Sequence, residues 1–229
     1  MKYYAITEKG KRNRNEDYHI TKKIDDYYVF CIADGVGGLS DGDIASKIAI
    51  DTITKEIKNK GKIGFRDGIE KANSSILCKN EKNQQMMATT LLACLIKEET
   101  NEAIIAHVGD SRAYVINTNI WKTKDHTLVQ DLVDLEIITE NEALTHPEKH
   151  RMNRAIGIIK NVEIEIDKKM LKDSILLLCS DGLSSYVNDN KIATIVKQYD
   201  PKNACKRLVQ VALENGSQDN ITIIVANIG

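Results

Sequence analysis

Most strand-like segments of this sequence are close neighbours along the chain, and this spacing constrains the fold more than any other feature. Asp25-Asp26 separates two of them and is a hairpin signal. Parallel neighbours would need crossovers of roughly a dozen residues or more, so short connections favour antiparallel sheets. The segments with alternating or continuous apolar character cover residues 1–7, 17–24, 27–33, 89–97, 103–108, 113–116, 162–166, 175–179 and 221–226.

Helical patterns lie between these groups of strands. Apolar side chains recur at i, i+3 and i+4 over residues 44–57 and 65–77, which predicts a helical hairpin lying on a sheet. A third helix is predicted to begin at Asp200-Pro201 and to end at Gly216. The predicted fold class is α+β, with layered antiparallel sheets that carry helices on the outside.

The composition favours a single domain over residues 1–229. With 42% hydrophobic and 28% charged residues, the chain can bury one sizeable core. A net charge of −1 argues against a nucleic acid or an anionic membrane as partner, and the apolar runs are too short to span a bilayer. No signal-peptide pattern is visible, and the five cysteines form no CxxC pair, which indicates reduced thiols. We therefore expect a cytoplasmic protein.

Four aspartates lie at the ends of apolar runs. Asp34, Asp110 and Asp181 each follow such a run, and Asp219 precedes one. Turn chemistry can explain any one of them alone, because Asp is common in turns. Four carboxylates that converge from several strand ends would repel one another unless a cation lay between them. Oxygen ligands favour Mg²⁺ or Mn²⁺, and two such ions can activate water for attack on a phosphoester.

A basic side chain in the first loop is a candidate phosphate ligand. Arg12 begins the stretch Arg12-Asn13-Arg14-Asn15-Glu16-Asp17, and a guanidinium group matches two phosphate oxygens at once. The alternative is a solvated basic segment that also includes Lys9, Lys11 and Arg14. Charge alone does not decide between these two interpretations.

Six blocks of residues occur in a fixed order and together identify a family. They are Arg12-x-x-Asn15-Glu16-Asp17, Ala33-Asp34-Gly35-Val36-Gly37-Gly38, Ala88-Thr89-Thr90-Leu91, His107-Val108-Gly109-Asp110-Ser111-Arg112-Ala113-Tyr114, Ser180-Asp181-Gly182-Leu183 and Asp219-Asn220-Ile221-Thr222. In this order they closely resemble the metal-dependent protein phosphatases of type 2C, in their compact bacterial form. The resemblance covers essentially the whole chain. Single Asp-Gly motifs are weak signals, whereas six ordered blocks are very specific.

This resemblance implies a four-layer α-β-β-α sandwich, in which helices flank two antiparallel sheets and a binuclear Mn²⁺ or Mg²⁺ centre lies at one edge. Asp34 is expected to bridge the two ions, and Gly35 to offer its carbonyl oxygen to one of them. Asp181 and Asp219 are expected to hold the other ion.

The resemblance also implies roles for residues around this centre. Glu16 and Asp17 are expected to act through metal-bound water, and Arg12 to bind the substrate phosphate. Asp110, together with Asp181, is expected to bind a third, weaker metal ion. Asn220 is expected to support the loop that carries Asp219.

Residues 123–158 are polar and show only weak helical periodicity, and the resemblance implies that they form a flap beside the active site. Many eukaryotic relatives have a histidine at the position of Val36, where it is suggested to protonate the leaving group. The proton donor is therefore open here: metal-bound water, or another residue. His146 and His150 in the flap are candidates, while the pattern around His107 favours a packed strand residue.

The activity implied is hydrolysis of phosphoserine and phosphothreonine in proteins, opposing a bacterial Ser/Thr kinase, by a chain expected to be monomeric. One alternative is a pseudophosphatase, which binds phosphoproteins or a kinase without turnover. Another is a phosphatase for small phosphoesters or phosphoarginine, which the site residues alone do not exclude.

Overall fold

The computed structural model describes residues 1–36, 41–84 and 86–229, and its strands form two five-stranded antiparallel sheets. The strands are β1 Lys2–Glu8, β2 Asp17–Ile24, β3 Tyr27–Asp34, β4 Leu91–Lys97, β5 Glu102–Val108, β6 Arg112–Ile116, β7 Ile120–Lys122, β8 Glu165–Met170, β9 Ser174–Cys179 and β10 Ile221–Ile228. One sheet has the order β1-β10-β9-β6-β7, and the other has the order β2-β3-β4-β5-β8. The antiparallel pairing predicted from the short connections is confirmed.

Helices pack on the outer face of each sheet, and others lie in the connecting segments. They are α1 Gly42–Lys60, α2 Gly64–Asn83, α3 Leu128–Asp134, α4 Glu140–Thr145, α5 Asp181–Ser184, α6 Asp189–Gln198 and α7 Pro201–Glu214. A short 3-10 turn, Gly61–Ile63, joins α1 to α2. The predicted cap of the C-terminal helix is present, because the Asp200 side chain accepts from the backbone N–H groups of Lys202 and Asn203.

Three apolar layers hold these elements together. One lies between the β2-containing sheet and the hairpin of α1 and α2, and includes Ile53 and Ile69. A second lies between the two sheets, where Phe30 and Leu178 are fully buried. The third lies between the other sheet and α6 and α7, and includes Leu208. The arrangement is the expected four-layer sandwich, helix–sheet–sheet–helix.

The predicted strand at residues 162–166 is wrong in its position. The strand there is β8, Glu165–Met170, which pairs with β5 from Glu165 opposite His107 to Met170 opposite Glu102. Pairing with β5 sets this register, and the edge position tolerates the charged sequence of β8. Val162 and Ile164 pack against the core without joining the sheet.

Three short elements were not predicted from the sequence, namely β7, α5 and α6. The first two are only three and four residues long, too short to show a period. The segment 123–158 contains α3 and α4, which a turn at residues 135–139 separates. Gly37 and Gly38, which close the second sequence block, lie outside the described residues. Among the described helices, none combines the length and apolar character of a membrane span.

Candidate metal centre

The ends of strands from both sheets meet at one cleft of about 530 Å³. Its lining combines acidic side chains with one arginine, one histidine and several loop residues: Arg12, Glu16, Asp34, Gly35, Val36, Thr90, Asp110, His150, Met152, Asp181, Tyr186, Gln218, Asp219 and Asn220. The cleft therefore brings together the four aspartates that the sequence singled out, with Arg12 and Glu16 beside them. Asp17 lies directly behind it.

One sheet contributes Asp17 and Asp34, which face each other across β2 and β3. Asp34 is held by two threonines: its N–H donates to the Thr90 hydroxyl at 3.0 Å, and its carbonyl accepts from the Thr89 hydroxyl at 2.9 Å. The Asp17 carboxylate is buried and accepts from the Ser180 hydroxyl at 2.9 Å. Its other oxygen, Oδ1, has no hydrogen-bond partner among the described residues.

The other sheet contributes Asp181 and Asp219. Ser180 alone separates Asp181, the first residue of α5, from the end of β9, and Asn220 alone separates Asp219 from the start of β10. Because β9 and β10 are antiparallel neighbours, the C-terminal end of β9 lies beside the N-terminal end of β10, and both carboxylates lie at this end of the strands. A Cβ atom on Gly182 would collide with the backbone carbonyl of Asn220, so a glycine is required for this close approach of the two loops.

Asn220 joins the Asp219 loop to the first loop of the chain. Its side-chain amide donates to the carbonyls of Lys9 at 2.8 Å and Arg14 at 3.0 Å, and its side-chain oxygen accepts from the Glu16 N–H at 2.8 Å. Three hydrogen bonds from one side chain thus hold the segment that carries Arg12 and Glu16 against Asp219.

The carboxylates of the cleft strongly disfavour one another's ionisation. Burial, followed by repulsion from Asp17, Asp181, Asp110 and Asp219, raises the pKa of Asp34 well above its ordinary value. Burial and the Asp110 charge do the same to the pKa of Asp181. Burial also raises the pKa of Asp17 to about 6, and burial with repulsion from Asp125 raises that of Asp110 to about 7. Cations bound among these carboxylates would favour their ionised forms.

Arg12 lies at the mouth of the cleft and forms a two-pronged ion pair with Asp219. Its Nε donates to Oδ1 at 2.8 Å and its Nη2 donates to Oδ2 at 2.7 Å. The guanidinium is about half exposed, so the pair lies within reach of an incoming ligand. This contact shows that Arg12 faces the cleft and is not simply a solvated basic side chain.

The histidines of the segment 123–158 differ in position. His150 lines the cleft, and its Nδ1 lies 3.9 Å from Asp181 Oδ2. His146 instead accepts a local hydrogen bond from the Glu148 N–H. His107 is buried in β5, and its Nε2 contacts the Lys124 carbonyl at 2.8 Å, as the strand pattern around it suggested.

Several residues that shape the site were missed by sequence reasoning. Arg112 forms a half-buried, two-pronged ion pair with Asp125, at 2.7 and 2.6 Å, beside Asp110. The His126 ring contacts the backbone of Gly109. In the sequence, the adjacent pair Asp125-His126 is the only signal of these contacts, and it does not indicate that Arg112 and Gly109 are the partners.

A second groove of about 440 Å³ adjoins the cleft and shares Asp110, Asp181 and His150 with it. It runs between the segment 123–158 and the helices α5 and α6. Val129 and Val133 supply apolar surface, and ion pairs line it elsewhere.

Comparison with known proteins identifies the family. The model of the protein phosphatase 2C family matches residues 8–220. The serine/threonine phosphatase stp of Listeria monocytogenes is 30% identical over 238 residues, which cover 96% of this chain and 92% of that protein.

Solved structures agree with this match. The serine/threonine phosphatase Stp1 of Staphylococcus aureus superposes with a TM-score of 0.93 at 33% identity, covering 99% of this chain and 94% of that one. The catalytic domain of the serine/threonine protein phosphatase PstP in complex with two manganese ions superposes with a TM-score of 0.85 at 29% identity, covering 100% and 98%. The chain therefore belongs to the protein phosphatase 2C family of metal-dependent phosphatases.

Proposed function

We propose that this protein hydrolyses phosphoserine and phosphothreonine in proteins at a binuclear Mn²⁺ or Mg²⁺ centre in the cleft. The observation that carries the proposal is the convergence of Asp34, Asp110, Asp181 and Asp219 on one cleft with Arg12 at its mouth. The relatives are named serine/threonine phosphatases, which supports the same reaction.

The donor set fits hard divalent cations. Every acidic side chain of the cleft offers oxygen, and the buried, unpartnered Asp17 Oδ1 leaves an acceptor for water or a cation. We assign Asp34 as the bridge between two ions, with the carbonyl of Gly35 as a further ligand of one of them. Asp181 and Asp219 would hold the other ion.

The remaining acidic groups are assigned weaker roles. Glu16 and Asp17 would act through water, since Asp17 lies behind the first carboxylates. Asp110 would hold a third, weaker ion with Asp181. When bound, the two principal ions neutralise the carboxylates and lower the pKa of water, which supplies a nucleophile for in-line attack on phosphorus.

The chain's own residues bind and orient the substrate. Arg12 would exchange its contact with Asp219 for two phosphate oxygens, because its fork geometry suits either partner. Val36 lines the cleft and offers no proton to the leaving oxygen. Among the described residues that line the cleft, His150 is the one imidazole, and it is a candidate donor that the segment 123–158, acting as a flap, would bring to the substrate.

The biological setting is part of the proposal. We propose a monomeric cytoplasmic enzyme of one domain that opposes a bacterial Ser/Thr kinase by removing phosphate from that kinase and its targets. The fold similarity to bacterial serine/threonine phosphatases along the full chain supports this setting.

Metal-dependent turnover tests the function directly. The purified protein is expected to hydrolyse a phosphothreonine peptide with added Mn²⁺ and to lose this activity in EDTA, because the proposed nucleophile is water activated by cations that the carboxylates hold. Parallel assays with a phosphoarginine peptide and a small phosphoester measure selectivity. No turnover of any substrate at saturating Mn²⁺ would indicate a binding protein, and a preference for the small ester would contradict a protein substrate.

Replacement of Arg12 by lysine is expected to raise KM for the phosphopeptide about tenfold, with a smaller change in kcat. Lysine keeps the charge but loses the two-pronged contact. Steady-state kinetics measures both constants, and Arg14→Lys in the same loop is the matched control. An unchanged KM in Arg12→Lys would remove Arg12 from the phosphate site.

A further inference from the structure

We propose that His126 is a positioning residue that fixes the backbone of Gly109 and thereby orients Asp110 toward the metal centre. This inference rests on the role proposed above for Asp110. His126 belongs to the segment 123–158, but its side chain does not line the cleft.

Two hydrogen bonds join His126 to both backbone groups of Gly109. The Gly109 N–H donates to His126 Nδ1 at 3.1 Å, and the His126 N–H donates to the Gly109 carbonyl at 3.0 Å. The imidazole is buried, so neither bond competes with bulk water. Gly109 is the residue that immediately precedes Asp110, and both of its backbone groups are engaged by one partner.

Thr90 packs closely against the other side of Gly109. Its φ is +106°, in the region that favours glycine, and a Cβ atom there would lie 2.7 Å from Thr90 Cγ2. Thr90 also binds the N–H of Asp34 and the hydroxyl of Ser111. Gly109 is therefore held between His126 and the threonine that supports Asp34.

The surroundings of the ring determine its tautomer. Because Nδ1 accepts from Gly109, the proton of the neutral ring is on Nε2, which donates to Glu165 Oε2 at 3.2 Å. The ring stacks on His107, with centroids 4.5 Å apart and planes 16° from parallel. Burial and the adjacent His107 lower the pKa of His126, which agrees with a neutral ring.

The same geometry argues against a cation between His107, His126 and Glu165, although their donor atoms lie within 4.8 Å of one another. His126 could bind a metal through Nε2 only by losing its last proton, because Nδ1 already accepts from Gly109. The Arg154 guanidinium also lies 3.5 Å from Nε2 and repels a cation there. These contacts therefore favour, over a metal site, a hydrogen-bonded cluster that fixes the His126 ring.

His126 also connects Asp110 to the far end of the segment 123–158. Its carbonyl accepts from the Asn153 N–H at 3.0 Å, and the next residue, Thr127, forms a bridge with Met152. The position of the Asp110 backbone therefore depends on both ends of this segment, through a single residue.

Two variants separate the hydrogen bond from the bulk of the ring. His126→Phe keeps a ring that can stack on His107 but has no acceptor, whereas His126→Asn supplies an oxygen near the position of Nδ1. Calorimetric titration with Mn²⁺ is expected to show about tenfold weaker binding at the weakest site in His126→Phe. His126→Asn is expected to stay within about threefold of the parent.

A double variant tests whether His126 acts through Asp110. On an Asp110→Asn background, His126→Phe is expected to cause no further loss of Mn²⁺ affinity. Independent losses would overturn the proposal, as would equal losses in His126→Phe and His126→Asn. If Asp110→Asn leaves Mn²⁺ binding unchanged while the parent still hydrolyses phosphopeptide, the proposed function stands and the positioning role is overturned.

Nitrogen NMR of the metal-free protein gives a readout that is independent of activity. The His126 Nδ1 resonance is expected to be that of an unprotonated nitrogen, with a coupling to the Gly109 amide nitrogen across the hydrogen bond. Nδ1 found protonated would overturn the proposal.

Discussion

Replacement of Asp181 by asparagine is expected to lower kcat for a phosphothreonine peptide on the order of 10³-fold at saturating Mn²⁺. The change is nearly isosteric, but it removes one charge from the set of carboxylates that we propose to hold two cations. The start of α5, just after β9, fixes the position of Asp181. Steady-state kinetics over a range of Mn²⁺ concentrations measures the loss.

Thermal unfolding of the same variant distinguishes a lost ligand from a damaged fold. Without metal, Asp181→Asn is expected to be at least as stable as the parent, because it removes a repulsion that now raises the pKa of Asp34. Asp51→Asn, at an exposed position of α1, is the matched control and is expected to change neither property. A kcat within about threefold of the parent would exclude Asp181 from the metal site.

The metal-free protein is expected to become less stable as pH rises from about 5 to about 7.5, and Mn²⁺ is expected to reverse this loss. A carboxyl whose pKa is raised by folding stabilises the protein below its unfolded-state value, and this contribution is lost as pH rises through the folded-state value. Asp17, with a pKa of about 6, contributes on the order of 3 kcal/mol at pH values well below its unfolded-state pKa. Roughly half of this contribution remains at about pH 5 and is lost by about pH 7.5, which corresponds to about 3–6 °C in Tm.

Comparison with Asp17→Asn isolates this effect from other titrating groups. Half-buried His19 and buried His126 have lowered pKa values and act in the opposite direction below about pH 6.5. Both proteins carry these histidines, so the difference between their Tm values reports the carboxyl alone. The difference is expected to change with pH in EDTA and to diminish in Mn²⁺, since cations replace protons. A difference that is independent of pH in EDTA would show that Asp17 is not protonated on folding.

The fold could be predicted largely from the sequence, because short connections and alternating residues are local properties. The predicted hairpin around Asp25-Asp26 is present as β2 and β3. The position of β8 could not be predicted, because its register is set by pairing with β5 and not by its own residues.

The candidate site, like the fold, could be predicted from the sequence only in part. The aspartates stood out because each adjoins an apolar run, and the structure brings them to one cleft. The ion pair between Arg12 and Asp219 joins residues 207 positions apart, and the Gly109–His126 contact joins two loops. Neither contact has a periodic signature, since both depend on how the sheets are stacked and how the loops cross.

β1 depends on β10 for its position in the sheet, because β10 is the strand with which it pairs. In its sheet order β1 stands at the edge, next to β10. During synthesis β1 can therefore join its sheet only after β10 has been made. Asp219 and Asn220 are made just before β10, and Asn220 is what holds the loop bearing Arg12. A nascent chain therefore has no complete acidic cleft until β10 has been made and has paired with β1.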